Sequence, residues 1–181
     1  ACRKDILERI KVKINWEKAL RYFVKTSQRA NKRSTVRRLN HRFPYIHAGK
    51  KVTRTANIMI AVDQSGSVSD AMLAKIFSAM DKLSKIATFT VVPFDSEVST
   101  EHIFEWKKGQ KYKAERVSCG GTCFQSVTDY CNKNSFDGLV IATDLEAPKP
   151  GACKVKRIWL TTAEYAARPY FATKEIILTV D

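Results

Sequence analysis

The sequence predicts an open α/β domain: a doubly wound, mostly parallel central sheet with helices on both faces, preceded by a basic N-terminal helical extension. Three observations predict it. Residues 58–62 (Ile-Met-Ile-Ala-Val) and 138–142 (Gly-Leu-Val-Ile-Ala) are unbroken apolar runs, the pattern of strands buried on both faces. Segments with apolar residues at helical spacing lie between the strand candidates. This alternation of strand and helix calls for right-handed crossovers and therefore for parallel pairing.

The elements follow in order. A helix is expected over 15–28, with Asn15 as its N-cap. Trp16, Ala19, Leu20, Phe23 and Val24 form one apolar stripe that should dock on the main domain, while Lys18, Arg21, Lys25 and Arg29 occupy the other faces. An earlier helix around 3–12 has a poorer pattern. Residues 29–54 read as irregular and very basic, punctuated by Pro44 and Gly49, and are expected to wrap over the sheet without regular elements. The first sheet strand, 58–62, runs directly into Asp63. Ser69 caps a helix over about 70–86 whose apolar face is Leu73, Ile76, Phe77, Met80 and Leu83. Residues 87–93 are the next strand, 98–104 a short strand near an edge, and 105–118 a polar loop. Gly120-Gly121-Thr122 precedes a helix near 123–134. The run 138–142 ends at Thr143-Asp144, and strands are expected again at 157–160 and 175–180. We divide the chain into a basic helix and wrapping segment, 1–56, and the α/β domain, 57–181.

Charge is distributed unevenly. Residues 1–57 hold 17 Lys and Arg against 3 Asp and Glu, whereas 58–181 hold 15 of each, so the entire formal excess of +14 lies in the leading third. Such asymmetry suits an acidic partner or a nucleic acid, with Arg33, Arg37, Arg38, Arg42, Lys50 and Lys51 as the candidate contacts. The alternative is a solvated surface that maintains solubility. No run of 18 apolar residues occurs, so no membrane partner is expected. The start, Ala1-Cys2-Arg3-Lys4, has no apolar stretch behind it, against a signal peptide. Five cysteines, an odd number without a signal, point to reduced thiols and a cytoplasmic setting. Cys119 and Cys123 flank Thr122 but lack a second Cys/His pair, so small buried thiols are the favoured reading over zinc ligands.

Three separated pieces carry the chemistry: Asp63-Gln64-Ser65-Gly66-Ser67, Gly120-Gly121-Thr122 and Thr143-Asp144. Each stands where an apolar strand hands over to a loop, and open α/β sheets bind ligands outside the carboxyl ends of their strands. Ser65 and Ser67 can face one point if the chain turns at Gly66. Thr122 adds a third hydroxyl, and Asp63 and Asp144 add negative charge directly or through water. Hard oxygens in this combination suit Mg2+, with Mn2+ as the alternative. Neutral hydroxyls leave positive charge on the ion, and an incoming carboxylate or phosphate could take an open position. Asp95 reads as a loop stabiliser, and Asp81, Lys82 and Lys85 as a solvated helix face.

This arrangement resembles the metal-ion-dependent adhesion site (MIDAS) of von Willebrand factor A (VWA) domains, whose pattern of Asp-x-Ser-x-Ser, Thr and Asp is filled by Asp63, Ser65, Ser67, Thr122 and Asp144. The resemblance implies that Ser65 and Ser67 coordinate directly, that Thr122 joins when ligand binds, and that the aspartates hold coordinating waters. More narrowly, the chain resembles the VWA-like C-terminal domain of a bacterial and phage putative-metallopeptidase family. Asn15-Trp16, Arg37-Arg38, Phe43-Pro44, residues 62–67, Phe94-Asp95, Gly120-Gly121-Thr122, Thr143-Asp144 and Trp159-Leu160 carry that likeness over about 12–180. Two departures stand out. Leu145-Glu146 follows the last Asp where such relatives often have Gly, which brings Glu146 near the site. The His-Glu-x-x-His of longer relatives is absent, so the protease label does not transfer.

The expected function is therefore a non-catalytic, metal-dependent protein-interaction module, its ion completed by an Asp or Glu of a partner. The resemblance implies a MoxR-type AAA+ ATPase as one such partner. The alternative is nucleic-acid binding by the basic leading third, although no motif of fixed spacing supports it. An enzyme is not expected: there is no P-loop, no G-x-S-x-G elbow and no evident base or nucleophile beside the metal.

Overall fold

The structure, a computed structural model, describes residues 15–65, 68–109 and 121–180, with the backbone alone described for 29–33 and 51–54. The expected helix over 3–12, Cys2, Gly66, Ser67, Cys119 and Gly120 lie outside the described residues.

Helix α1 (Trp16–Ser27) begins at Asn15, whose side chain accepts a hydrogen bond from Lys18 N at 3.1 Å. The apolar stripe packs as its spacing dictates: Leu20, Phe23 and Val24 are buried against the sheet. Strands β1 (Arg29–Leu39) and β2 (Ala48–Asp63) come next, then helix α2 (Asp70–Leu83), where Ser69 accepts from Met72 N at 3.3 Å. Strands β3 (Ala87–Phe94) and β4 (Phe104–Trp106) precede helix α3 (Phe124–Lys133). Strands β5 (Gly138–Ala142) and β6 (Lys156–Thr161), the single-turn helix α4 (Ala163–Ala166) and strand β7 (Ile176–Thr179) complete the chain.

The sheet runs in the order β4-β3-β2-β5-β6-β7, with β1 attached to β2. Strands β3, β2, β5, β6 and β7 are mutually parallel, and β4 and β1 are antiparallel to their neighbours. The period of two along each strand divides the core into two layers. Ile58, Ile60 and Val62 of β2 face α1 and α2 with Val140 and Leu160, whereas Met59 and Ala61 face α3 with Ile141 and Trp159. Helices on both faces explain why the strands read as continuous apolar runs. The domain is α/β with a mainly parallel sheet, as expected.

Three expectations need correction. Residues 29–39 and 48–54 are regular, joined by turns over 40–47: β1 and the first half of β2 form an antiparallel ribbon, in register from Arg29 opposite Thr55 to Thr35 opposite Gly49. Threonines and valines at 35, 36, 52, 53 and 55 favour extended backbone, and the dense positive charge masked that signal. A bulge follows between Thr35 and Leu39, where Gly49 lies so close to the Arg38 carbonyl that a Cβ would collide with it. The edge strand lies later than 98–104, at Phe104–Trp106, because Thr100–His102 closes into one turn of 3-10 helix with His102 N donating to Ser99 O. Asp81 is not simply solvated. It accepts from the Trp106 indole at 2.7 Å and from Gly109 N at 3.3 Å, holding the edge strand to α2 while Trp106 stacks on Phe77. Lys82 pairs with Glu17 at 3.0 Å.

Candidate functional site

Parallel pairing in register brings the carboxyl ends of the central strands together. Val62 pairs with Ala142, so Asp63 and Thr143 leave β2 and β5 side by side. Gln64 N donates to Phe94 O at 2.9 Å, tying the exit of β2 to β3, and Cys123 N donates to Asp95 O at 2.8 Å, which anchors the segment bearing Thr122 to the end of β3. Asp95 thus acts in loop geometry, its Oδ1 also accepting from Glu97 N at 3.1 Å.

The Asp63 carboxylate is the hub. Its Oδ1 accepts from Ser65 N at 3.0 Å, the turn by which a strand-end aspartate organises its own loop. The Thr122 hydroxyl lies 3.4 Å and 3.3 Å from its two oxygens. The Thr143 hydroxyl reaches Asp63 Oδ2 at 2.7 Å and lies 3.3 Å from Asp144 Oδ1. A hydroxyl has one proton, and the shorter contact takes it. The Thr143 oxygen in turn accepts from Leu145 N at 3.3 Å, and Asp144 Oδ1 accepts from Glu146 N at 2.9 Å.

Both acids are nearly buried, Asp63 at 2% exposure and Asp144 at 6%. Burial raises the Asp63 pKa above its ordinary value; hydrogen bonds from Ser65 and Thr143 work against that, and the negative charge of Asp144 adds to it. The described groups acting on Asp63 include no cation. Two adjacent buried acids with hydroxyls around them form an all-oxygen donor set, which suits a hard cation better than a soft one. Among the described residues, no three of His, Cys, Asp and Glu gather as a metal cluster.

Four of the five sequence-predicted residues, Asp63, Ser65, Thr122 and Asp144, therefore belong to one constellation, and Ser67 lies outside the described residues. The Glu146 side chain is exposed. Leu145 has a φ of 65°, a left-handed conformation natural to Gly, and its side chain is fully buried in the α3 layer. One further residue belongs here: Thr143, which stands beside Asp144 in the sequence and bonds to Asp63. Partial desolvation raises the Tyr165 pKa, and the charges of Glu146, Asp144 and Glu164 act in the same direction. The basic residues lie elsewhere. Arg37, Arg38, Arg42 and Lys50 are exposed on the ribbon and its tip, and Arg33 stands opposite Lys51 in register, their side chains outside the described set.

A parallel sheet with hydroxyl and carboxylate groups at its carboxyl edge is the architecture of a VWA-type domain. Residues 58–178 match the VWA-like domain (DUF2201) family, and the chain belongs to it. An uncharacterized protein of Thermotoga maritima is 27% identical over 132 residues, covering 72% of this chain and 33% of the relative, so the chain spans a third of that protein's length. Among solved structures, an aerotolerance-related membrane protein from Bacteroides fragilis, carrying multiple mutations to serine, aligns at 13% identity and a TM-score of 0.46, covering 70% of this chain and 92% of that one. BatB from Bacteroides thetaiotaomicron aligns at 13% identity and 0.43, covering 60% and 68%. The ArnB paralog VWA2 from Sulfolobus acidocaldarius aligns at 12% and 0.38, covering 59% and 34%. No described helix is long and apolar enough to cross a membrane.

Proposed function

We propose that the domain is a non-catalytic, metal-dependent protein-binding module that works from the carboxyl edge of its sheet. The observation that carries this reading is the Asp63 hub. Three separate chain segments aim hydroxyl or amide groups at one buried carboxylate, with a second acid adjoining and no described cation acting on it. Ser65, Thr122 and Asp144 would hold Mg2+, or Mn2+, together with Asp63 and with Ser67 of the Asp-x-Ser-x-Ser segment. The ion would supply a Lewis-acidic position for an Asp or Glu of a partner. Thr143 orients Asp63, and Leu145 N fixes the Thr143 oxygen, so the acids are placed before any ligand arrives. Membership in a VWA-like family supports an interaction role. A MoxR-type AAA+ ATPase is the partner to try first, and the cytoplasm the proposed compartment.

Mg2+ titration of metal-stripped protein tests the site. At about a hundred times its Kd, the ion should stabilise the fold by about 2.7 kcal/mol. Ser65→Ala and Thr122→Ala should each abolish that increment, measured against each variant's own metal-free melting curve. Identical melting of the stripped and Mg2+-saturated wild type would refute the metal site. Capture of the ATPase that survives EDTA would refute metal-dependent recognition.

A further inference from the structure

The β1–β2 ribbon is a second, independent surface. From Ala48 to Asp63, β2 has 16 residues; at about 3.3 Å each, the ribbon tip stands roughly 50 Å from the Asp63 hub. One small partner cannot cover both ends. Residues 29–57 hold nine Lys and Arg and no Asp or Glu, and Arg37, Arg38, Arg42 and Lys50 are exposed.

The tip is a built turn. Asn40 Oδ1 accepts from Arg42 N at 3.0 Å and Phe43 N at 3.2 Å, and Asn40 Nδ2 donates to Ala48 O at 3.3 Å. His47 N donates to Phe43 O, and the two rings meet edge to face at 5.6 Å. Tyr45 is held at a φ of 68°, a conformation that costs a non-glycine residue energy, yet it is 92% exposed. Strain spent on displaying a ring makes sense if the ring has a ligand. Phe43 is also half exposed, beside Arg42.

We infer that this ribbon binds single-stranded nucleic acid, its cations tracking the phosphates and Phe43 and Tyr45 offering faces on which bases stack. A polynucleotide repeats its charge along its length, which matches cations spread along an extended ribbon. An anionic bilayer offers phosphates in a plane, whereas the ribbon presents its cations along a line, so the polynucleotide is the better match. The two ends of β2 then allow a nucleic acid and a metal-dependent protein partner to be held at once.

Fluorescence anisotropy with a labelled single-stranded oligonucleotide tests the inference. Wild-type affinity should fall steeply with salt. Replacing Arg37, Arg38, Arg42 and Lys50 together by Gln should weaken binding at least tenfold and reduce the salt slope by about 0.7 for each phosphate no longer neutralised. Phe43→Ala with Tyr45→Ala should weaken binding several-fold and leave the slope unchanged. All six positions are exposed or half exposed, so circular dichroism should report an intact fold. Wild-type affinity in the four-Gln variant would overturn the inference, as would flotation with anionic phosphatidylserine vesicles in the absence of oligonucleotide binding. Adding EDTA should leave the anisotropy unchanged, which keeps this result separable from the metal site.

Discussion

Thr143 donates its hydroxyl to Asp63 Oδ2 across 2.7 Å, joining the ends of two neighbouring parallel strands at a point where both residues are almost wholly buried. The bond orients the acid at the centre of the candidate site and also locks β5 to β2. The same side chain therefore bears on stability and on ligand geometry.

Thr143→Val keeps the shape and removes the donor. It leaves Asp63 short of a buried partner and Leu145 N short of an acceptor, so the domain should lose about 1–3 kcal/mol. Thr143→Ser, which restores the hydroxyl, should recover most of it. Urea unfolding of the three proteins decides the matter, and equal midpoints would contradict the role given to the bond.

Leu145 opposes two effects. Replacing it by Gly would relieve a left-handed backbone, worth about 1–2 kcal/mol. It would also empty a fully buried position, at about 2–5 kcal/mol for truncation of a buried Leu. The larger effect wins, so Leu145→Gly should destabilise by about 1–3 kcal/mol. A more stable variant in calorimetry would show that the backbone conformation dominates.

Arg157, with a side chain 2% exposed, makes a two-pronged contact with Glu175 at 2.7 Å and 2.9 Å, and Trp159 Nε1 donates to the same carboxylate at 2.7 Å. Burial alone would favour protonated Glu175. The hydrogen bonds from Arg157 and Trp159, with the charges of Arg157 and Lys149, outweigh it and hold the pKa below the ordinary 4.5. A depressed carboxylate stabilises the fold above its unfolded value and loses that contribution as pH falls through the folded value. The stability advantage of wild type over Glu175→Gln should thus be flat above about pH 5 and shrink on acidification below 4.5, followed by urea midpoints across that window. An advantage that grew on acidification would be the wrong sign.

The segments bearing Cys131 and Cys153 are tied by Asn132, whose Nδ2 donates to Ala152 O at 3.1 Å and whose Oδ1 accepts from Lys154 N at 2.8 Å, and the two thiols act on each other's ionisation. The hydrogen bond from the Cys131 thiol, aided by Val155 N–H and the Arg157 charge and opposed by burial, brings Cys153 down to about 6, while that same bond and burial push Cys131 up. At pH 7 iodoacetamide should label Cys153 well before Cys131. Cys131→Ala should move the midpoint of the Cys153 pH–rate curve upward. Peptide mapping that found equal labelling of both thiols in the wild type would count against the pairing.

The central strands were legible in the sequence, because a strand buried on both faces must be apolar throughout. Asn15 and Ser69 likewise marked their helix starts by local chemistry. Asp63, Ser65, Thr122 and Asp144 were legible as a set because each follows such a strand or a glycine pair. The ribbon was not: charge dominated residues 29–54, and antiparallel pairing shows only when the two halves meet. Asp81 gave no hint of Trp106, which lies 25 residues later.

By itself, then, the chain determined its periodicities, its charge asymmetry and which side chains could serve as hard donors, since those are local properties of residue order. Tertiary structure alone decided that Thr143 would grip Asp63, that Trp106 would reach back to Asp81, and that the basic ribbon would project from the end of β2 opposite the acids. Strand register and helix packing decide such pairings, and no window of sequence contains both partners.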